Sequence, residues 1–567
     1  MDANGWTQIA LALLVVTALT RPLGRYLHIV MDREHRPFPA LLVPLERAVL
    51  ALLGSKGEEQ SWQAYLASVL AFGVACIAVG MLLLMAQGRL PWNPAGVEGF
   101  TLHRAFNTAV SFVTNTNWQS YPGAEAVSPL IQAVFFTWQN FVSAATSLAV
   151  AIAVTRGLTR RGLGSGIGNF WLDLVRGTLF VLLPGAALAA VLLAALGVPQ
   201  TLNPAVTVAT LDGGQQTITL GLVASQEAIK MLGTNGGGYF NANTAHPFSG
   251  PNGLAVWLSV VLMLLLPSAL TNTYGRMAKD QRQGWALFAA VMALLLTSLL
   301  AIPSELGPTA ALQQAGLVDA GNPEGKEVRV GTALSVFYGL VTTATSSGAV
   351  VAMHDSFGVA TGLVVLVNML LGEVVFGGVG VGLYGMLSMA ILTVFLAGLM
   401  IGRTPELLGR KIESREVTLV VLVLLVPSAL ILIGTALGLS LPFAARSIQD
   451  PGPHGLSEML YAYTSASLNN GSAFAGFHAD TAWHNTALGV AMLIGRYLGI
   501  VAMLAIAGSM ITKRAIPSGP GTFPTSGPLF VWLLLGVILI VSALTYIPAL
   551  ALGPFLELAM ANAGRLF

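Results

Sequence analysis

Ten stretches of this chain are long and apolar enough to cross a bilayer: residues 6–24, 62–86, 128–155, 171–197, 254–273, 285–302, 359–402, 417–438, 484–511 and 528–550. A hydrocarbon core of about 30 Å needs roughly 20 apolar residues in a helix. With 55% hydrophobic and only 9% charged residues, soluble classes are excluded and an all-α polytopic membrane protein of ten transmembrane helices is expected. The seventh stretch is too long for one span and contains "FGGVGVGLYG", so an interruption is expected there. Arg21 and Arg25 follow the apolar run 9–19 instead of preceding it, and no A-x-A site appears, which predicts a retained first span and not a cleaved leader. The single cysteine, Cys76, excludes an intramolecular disulfide and a thiolate metal cluster.

Charge sets the expected orientation. Of the 27 basic residues, 19 fall in or beside alternate connections, seven on the opposite side, and one, Arg496, within a span. The basic side should be cytoplasmic, which puts both termini outside.

The four long outer connections, 87–127, 198–253, 303–358 and 439–483, share a pattern. A helix-like stretch runs into a short polar segment: Thr114-Asn115-Thr116-Asn117, Thr234-Asn235-Gly236-Gly237, Ser346-Ser347-Gly348-Ala349 and Asn469-Asn470-Gly471-Ser472. Aligned on 115, 235, 347 and 470, they recur at intervals of 120, 112 and 123 residues. A fixed period of this size marks a repeated supersecondary unit, here span, re-entrant pore helix, polar loop, span. The expected organisation is 1–60 for the first helix and its connection, repeats at 61–160, 161–283, 284–415 and 416–527, and a last helix in 528–567. On this alignment the first repeat has Thr116 where the others have glycine.

Irregular backbone at membrane depth is tolerated only where protein buries it or where it lines a watery path. Four such loops therefore predict one cavity on a fourfold pseudo-axis. Backbone carbonyls can replace the hydration shell of an ion, and glycine allows the dihedrals that turn carbonyls to an axis. Gly236, Gly237 and Gly238 are read as one wall of a cation filter, with Thr234, Asn235 and Asn470 as bracing dipoles. Each preceding helix should aim its negative C-terminal end at the ion. No acidic ring occupies these positions, which favours a monovalent cation over calcium.

Other residues carry competing readings. Arg496 is either an anchor satisfied by loop carbonyls or a positive barrier beneath the filter, at an insertion cost of roughly 2.5–3.5 kcal/mol. Glu373 is its candidate partner, or an attractor of cations. Gly377, Gly378, Gly380 and Gly382 serve close helix packing or an unwound gate; the length of 359–402 favours the gate. Gln119 and Asp355 are assigned to the entrance. His246, His354, His454 and His478 lie on the outer side without metal-binding spacing, so no catalytic metal is expected.

The loops "VTNTNWQSY", "GTNGGGYFNANTAHPF", "TATSSGAVVAMHDSFG" and "LNNGSAFAGF", with "GRTPELLGRKIESRE", resemble the KdpA family of the bacterial Kdp potassium pump over essentially the whole chain. That resemblance implies a fold of four pseudo-symmetric span–pore helix–filter–span repeats as in potassium channels. It implies potassium as the ion and the bacterial inner membrane as the location. It also implies a complex with a P-type ATPase subunit KdpB, with KdpC and with a small hydrophobic subunit KdpF. In such a complex this chain takes potassium from outside and passes it sideways to the ATPase. The chain contains neither G-x-x-x-x-G-K-[ST] nor D-K-T-G, so another chain would hydrolyse ATP and no nucleotide is expected here. The alternatives are a stand-alone Trk/Ktr-type transporter and an intramembrane enzyme; the latter is disfavoured because no nucleophile and base recur at helical spacing.

Overall fold

Each long apolar stretch except 359–402 becomes one helical span in the computed structural model, which describes residues 3–32, 40–160, 166–308, 313, 316, 321–326, 328–372, 374–516 and 522–563. Among the described residues ten helices are long and apolar enough to span: Asn4–Met31, Trp62–Arg89, Pro129–Thr159, Phe170–Ala195, Gly253–Met277, Gln281–Leu306, Val381–Ile401, Ser414–Ser440, Ala482–Ile511 and Pro528–Leu552. The chain is therefore a multi-pass membrane protein. The interruption expected in 359–402 is present: Val359–Leu370 and Val381–Ile401 are separate helices joined by an irregular segment.

Between the first and last helices the order outer span, short helix, loop, inner span occurs four times. The short helices are Leu102–Val113, Val223–Leu232, Thr332–Ala344 and Pro453–Ser467. Burial separates the inner spans from three of the four outer ones. The inner ones, Pro129–Thr159, Gly253–Met277, Val381–Ile401 and Ala482–Ile511, are 89, 72, 67 and 56% buried over their most apolar window. The outer spans Trp62–Arg89, Phe170–Ala195 and Ser414–Ser440 are 28, 33 and 22% buried, which leaves an apolar exterior suited to lipid. Gln281–Leu306 departs from its peers at 61%, because the last span packs over it.

Packing inside the bundle uses small residues and satisfied charges. Arg156 makes a two-pronged pair with Asp173 at 2.6 and 2.9 Å and donates to the Met31 carbonyl at 2.8 Å, tying spans one, three and four together. Arg410, in the connection between the seventh and eighth spans, is 2% exposed. It lies in a two-residue strand, Arg410–Lys411, paired with Glu406–Leu407. Its guanidinium donates to the carbonyls of Gly157, Leu158 and Arg160, closing the otherwise unpaired end of the third span. A hairpin not anticipated from sequence, Ala205–Ala209 with Gln215–Thr219, occupies the second outer connection. Its signal was there: alternating β-formers flank "LDGG".

Candidate functional site

All four short helices end at the polar loops, so four sets of C-terminal carbonyls converge on one region. The loops share one backbone conformation. Positive φ occurs at Asn115 and Asn117, Thr234 and Gly236, Ser346 and Gly348, and Asn469 and Gly471. The residue between them donates its N–H to the carbonyl five back: Thr116 to Ser111, Asn235 to Lys230, Ser347 to Thr342 and Asn470 to Ser465. The structural equivalents are therefore 116, 235, 347 and 470, and the expected alignment is off by one in the first repeat. Asn117, not Thr116, stands where the others carry glycine. Asparagine tolerates left-handed backbone better than most residues, so one loop keeps the shape without glycine.

Contacts at the glycines show how the ring closes. A Cβ at Gly236 would lie 1.9 Å from the Ser347 carbonyl oxygen, one at Gly348 2.0 Å from that of Asn470, and one at Gly471 1.9 Å from that of Thr116. Second loop meets third, third meets fourth, and fourth meets first. At the remaining seam a Cβ on Gly237 would lie 2.9 Å from the Asn117 carbonyl oxygen. Glycine is required here because the neighbouring loop's carbonyl occupies the place of a side chain. The ring runs in sequence order around a fourfold pseudo-axis.

Side-chain amides brace it. The Asn115 amide donates to the Thr234 carbonyl at 3.0 Å, and its Oδ1 accepts from Ser143 Oγ at 2.7 Å and from the Asn235 amide. Asn117 donates to Asn140 Oδ1 at 2.6 Å. Asn469 donates to Thr116 Oγ1 at 2.8 Å, and Asn470 to the Thr342 carbonyl at 3.1 Å. Gln119 accepts the Gly238 N–H at 2.8 Å, joining first and second loops. Thr114, Thr116, Thr234, Asn235 and Ser347 are fully buried.

The segment between Val359–Leu370 and Val381–Ile401 lies directly against this ring. Gly377 N–H donates to the Ala344 carbonyl at 2.9 Å, and Val379 N–H to Thr234 Oγ1 at 2.9 Å. Gly380, at φ 84°, packs so that a Cβ would sit 2.2 Å from the Ser147 carbonyl oxygen; at Gly382 it would sit 1.8 Å from that of Phe376. Gly378 has room for one, with Thr234 Oγ1 3.5 Å away.

Arg496 meets the same place. It is 6% exposed and donates to Ser147 Oγ. Ser147 Oγ donates to the Ser143 carbonyl at 2.9 Å, and Ser143 Oγ reaches Asn115. Buried arginine, broken segment and first loop are thus linked through one face of the third span. A cavity of about 100 Å³ lies beside Arg496, with Asn469, Gly372, Tyr384 and Tyr546 in its wall. Glu373 lies outside the described residues.

Asp355 is placed in an ion-pair network. His454 bonds Asp355 at 2.9 Å through Nε2 and Glu557 at 2.7 Å through Nδ1. Burial opposes the imidazolium, but the two carboxylates outweigh it and raise His454 to about 10. Asp355, Asp450 and His454 bring potential metal-ligating atoms within 4.8 Å of one another. Both ring nitrogens of His454 are engaged by the Asp355 and Glu557 carboxylates.

Sequence reasoning missed the support behind the second loop. Glu227 and Lys230 form a buried pair at 2.8 Å, with both side chains 1% exposed. Lys230 holds Asn243 Oδ1 at 2.8 Å, and the Asn243 amide donates to the Gly237 carbonyl. The i, i+3 spacing of opposite charges within a re-entrant helix was the available signal.

Comparison with known proteins bears on this geometry. Residues 10–559 match the family described as "KdpA: Potassium-transporting ATPase A subunit". A protein of Mesorhizobium japonicum named "Potassium-transporting ATPase potassium-binding subunit" is 51% identical, covering 98% of each chain. Proteins of the same name from Rhizobium rhizogenes and Rhodospirillum centenum are 50 and 52% identical over 100% of this chain and 100 and 99% of theirs. Among solved structures, the potassium transporter TrkH of Vibrio parahaemolyticus matches with a TM-score of 0.53 at 14% identity, covering 88% of this chain and 97% of that one. The last shows a shared fold.

Proposed function

The chain belongs to the KdpA family of potassium-transporting ATPase A subunits, and from that premise we propose that the ring of four loops is a potassium filter in the ion-binding subunit of an ATP-driven importer. The observation that carries this is the closure of the ring. Three glycines sit where a neighbour's carbonyl leaves no room for a side chain, and Asn117 takes the fourth place. Such packing fixes the ring's width, and a carbonyl-lined ring of fixed width selects a dehydrated cation by size and field strength.

Potassium is the cargo. It sheds water at the loops Thr114–Asn117, Thr234–Gly238, Ser346–Gly348 and Asn469–Gly471 and enters past Gln119. Beneath the ring it meets the segment carrying Gly377, Gly378, Gly380 and Gly382, with Arg496 beside it. A backbone plug and a buried cation both oppose straight passage. The cavity next to Arg496 supports a lateral exit, as delivery to a partner in the membrane requires. The basic connections face the cytoplasm of a bacterial inner membrane and both termini lie outside. ATP is hydrolysed by a P-type subunit, KdpB, with KdpC and KdpF completing the complex; this chain binds no nucleotide.

Native-detergent purification of the tagged chain tests this reading. A P-type ATPase should co-elute, and potassium should stimulate its hydrolysis. Recovery with a soluble nucleotide-binding regulator and no ATPase would point instead to a Trk/Ktr-type transporter.

A further inference from the structure

The peptide unit joining Gly237 and Gly238 is held at both ends by side chains. Its carbonyl accepts from the Asn243 amide, and its N–H donates to Gln119 Oε1 at 2.8 Å. Gly236 and Gly237 have φ of 79° and 67°, and three consecutive glycines offer little resistance to rotation of a peptide plane. The two side-chain amides, Gln119 from the first repeat and Asn243 from the second repeat itself, supply that resistance.

Asn243 is itself fixed. It adopts φ 55°, and its Oδ1 accepts from Lys230 Nζ at 2.8 Å. Lys230 pairs with Glu227 at 2.8 Å and donates to Thr244 Oγ1 at 3.0 Å, while Thr244 Oγ1 donates to Glu227 Oε1 at 2.5 Å. Lys230 also serves the loop through its backbone, since its carbonyl accepts the Asn235 N–H at 2.9 Å. A buried ion pair contributes little net stability compared with well-packed apolar residues. What it does supply is a fixed direction for the Asn243 amide. Two of the other loops are braced differently: Asn117 is held by Asn140, and the Gly471 N–H by Ser465 Oγ.

On the reading of the ring as a potassium filter, we infer that Lys230 is a positioning residue for ion selectivity, acting through Asn243 to lock the Gly237–Gly238 peptide. With the lock in place the Gly237 carbonyl is turned to Asn243 and the second loop keeps one width. Without it the plane rotates, and the loop adapts to ions of other radii.

The test is equilibrium binding of K⁺, Rb⁺ and Na⁺ to the full chain in detergent, titrated calorimetrically in choline buffer. The variants are Lys230→Met, Asn243→Leu, Asn243→Asp and the double variant Lys230→Met with Asn243→Leu. Asn243→Asp keeps a partner for Lys230 and removes the donor to Gly237. Each single variant should weaken K⁺ binding about tenfold and narrow the K⁺/Rb⁺ preference at least about fivefold. The double variant should be no worse than Asn243→Leu, because the two residues act in series. Should Lys230→Met fail to fold, the two Asn243 variants decide alone. A folded Asn243 variant with the wild-type K⁺/Rb⁺ ratio overturns the inference, as do fully additive effects. A wild-type chain without any preference for K⁺ would instead overturn the filter reading on which it rests.

Discussion

Gly348 shows what a single residue decides. It has φ 73°, and its hydrogen points at the Asn470 carbonyl oxygen, 2.0 Å from where a Cβ would be. Alanine there meets left-handed strain of about 1–2 kcal/mol and also displaces the neighbour's carbonyl. Gly348→Ala should weaken potassium binding by at least about tenfold and blur discrimination against rubidium, read as ion-stimulated ATP hydrolysis by the purified complex. Asn117 makes the complementary point. Its glycine-like role was hidden because the letter is not glycine, and only the backbone reveals the one-residue shift in register. Arg496 was legible as exceptional because a charge in a span is expensive, but its partner Ser147 was not, since serines are common in spans. Arg496→Met removes the buried cation bonded to Ser147. Potassium uptake per ATP in proteoliposomes of the complex should fall several-fold, and an unchanged ratio would assign Arg496 to anchoring alone.

At the scale of elements, the broken seventh span was readable from length and glycine content, whereas its contact with the second and third loops was not. Val379 donates to Thr234 Oγ1, so shortening the segment by deleting 379–381 would also disturb the second loop. Point changes separate the two effects. Gly380→Ala must push against the Ser147 carbonyl, while Gly378 has space for a methyl group. Potassium leak into liposomes without ATP should rise with Gly380→Ala and stay at the wild-type level with Gly378→Ala. Equal tightness in both would remove the segment from gating.

His454 joins the fourth short helix, Pro453–Ser467, to Asp355 and to Glu557 of the terminal helix Pro554–Asn562. A raised histidine stabilises the folded state fully below its unfolded value near 6.5 and loses that contribution as pH climbs to about 10. Amide exchange in Pro554–Asn562 should therefore accelerate between pH 7 and 10 beyond the intrinsic rate, and His454→Gln should abolish the excess. The charged residues involved were visible in the sequence, but their pairing spans about a hundred positions and no local pattern encodes it.

For the whole molecule, hydropathy and the loop period made ten spans and four units legible, because a bilayer allows few alternatives. Burial then distinguishes the four inner helices around the ring from the outer spans Trp62–Arg89, Phe170–Ala195 and Ser414–Ser440, a difference that hydropathy alone does not show, since both sets are apolar. The central claim is that one ion site is shared by all four repeats. An anomalous-scattering map of the full chain crystallised with Tl⁺ as a potassium substitute tests it most directly. Density is expected on the pseudo-axis, enclosed by the loops containing Thr116, Asn235, Ser347 and Asn470 and displaced by excess K⁺ but not by Na⁺. Density confined to another cavity, or a site contacted by only one or two loops, would contradict it.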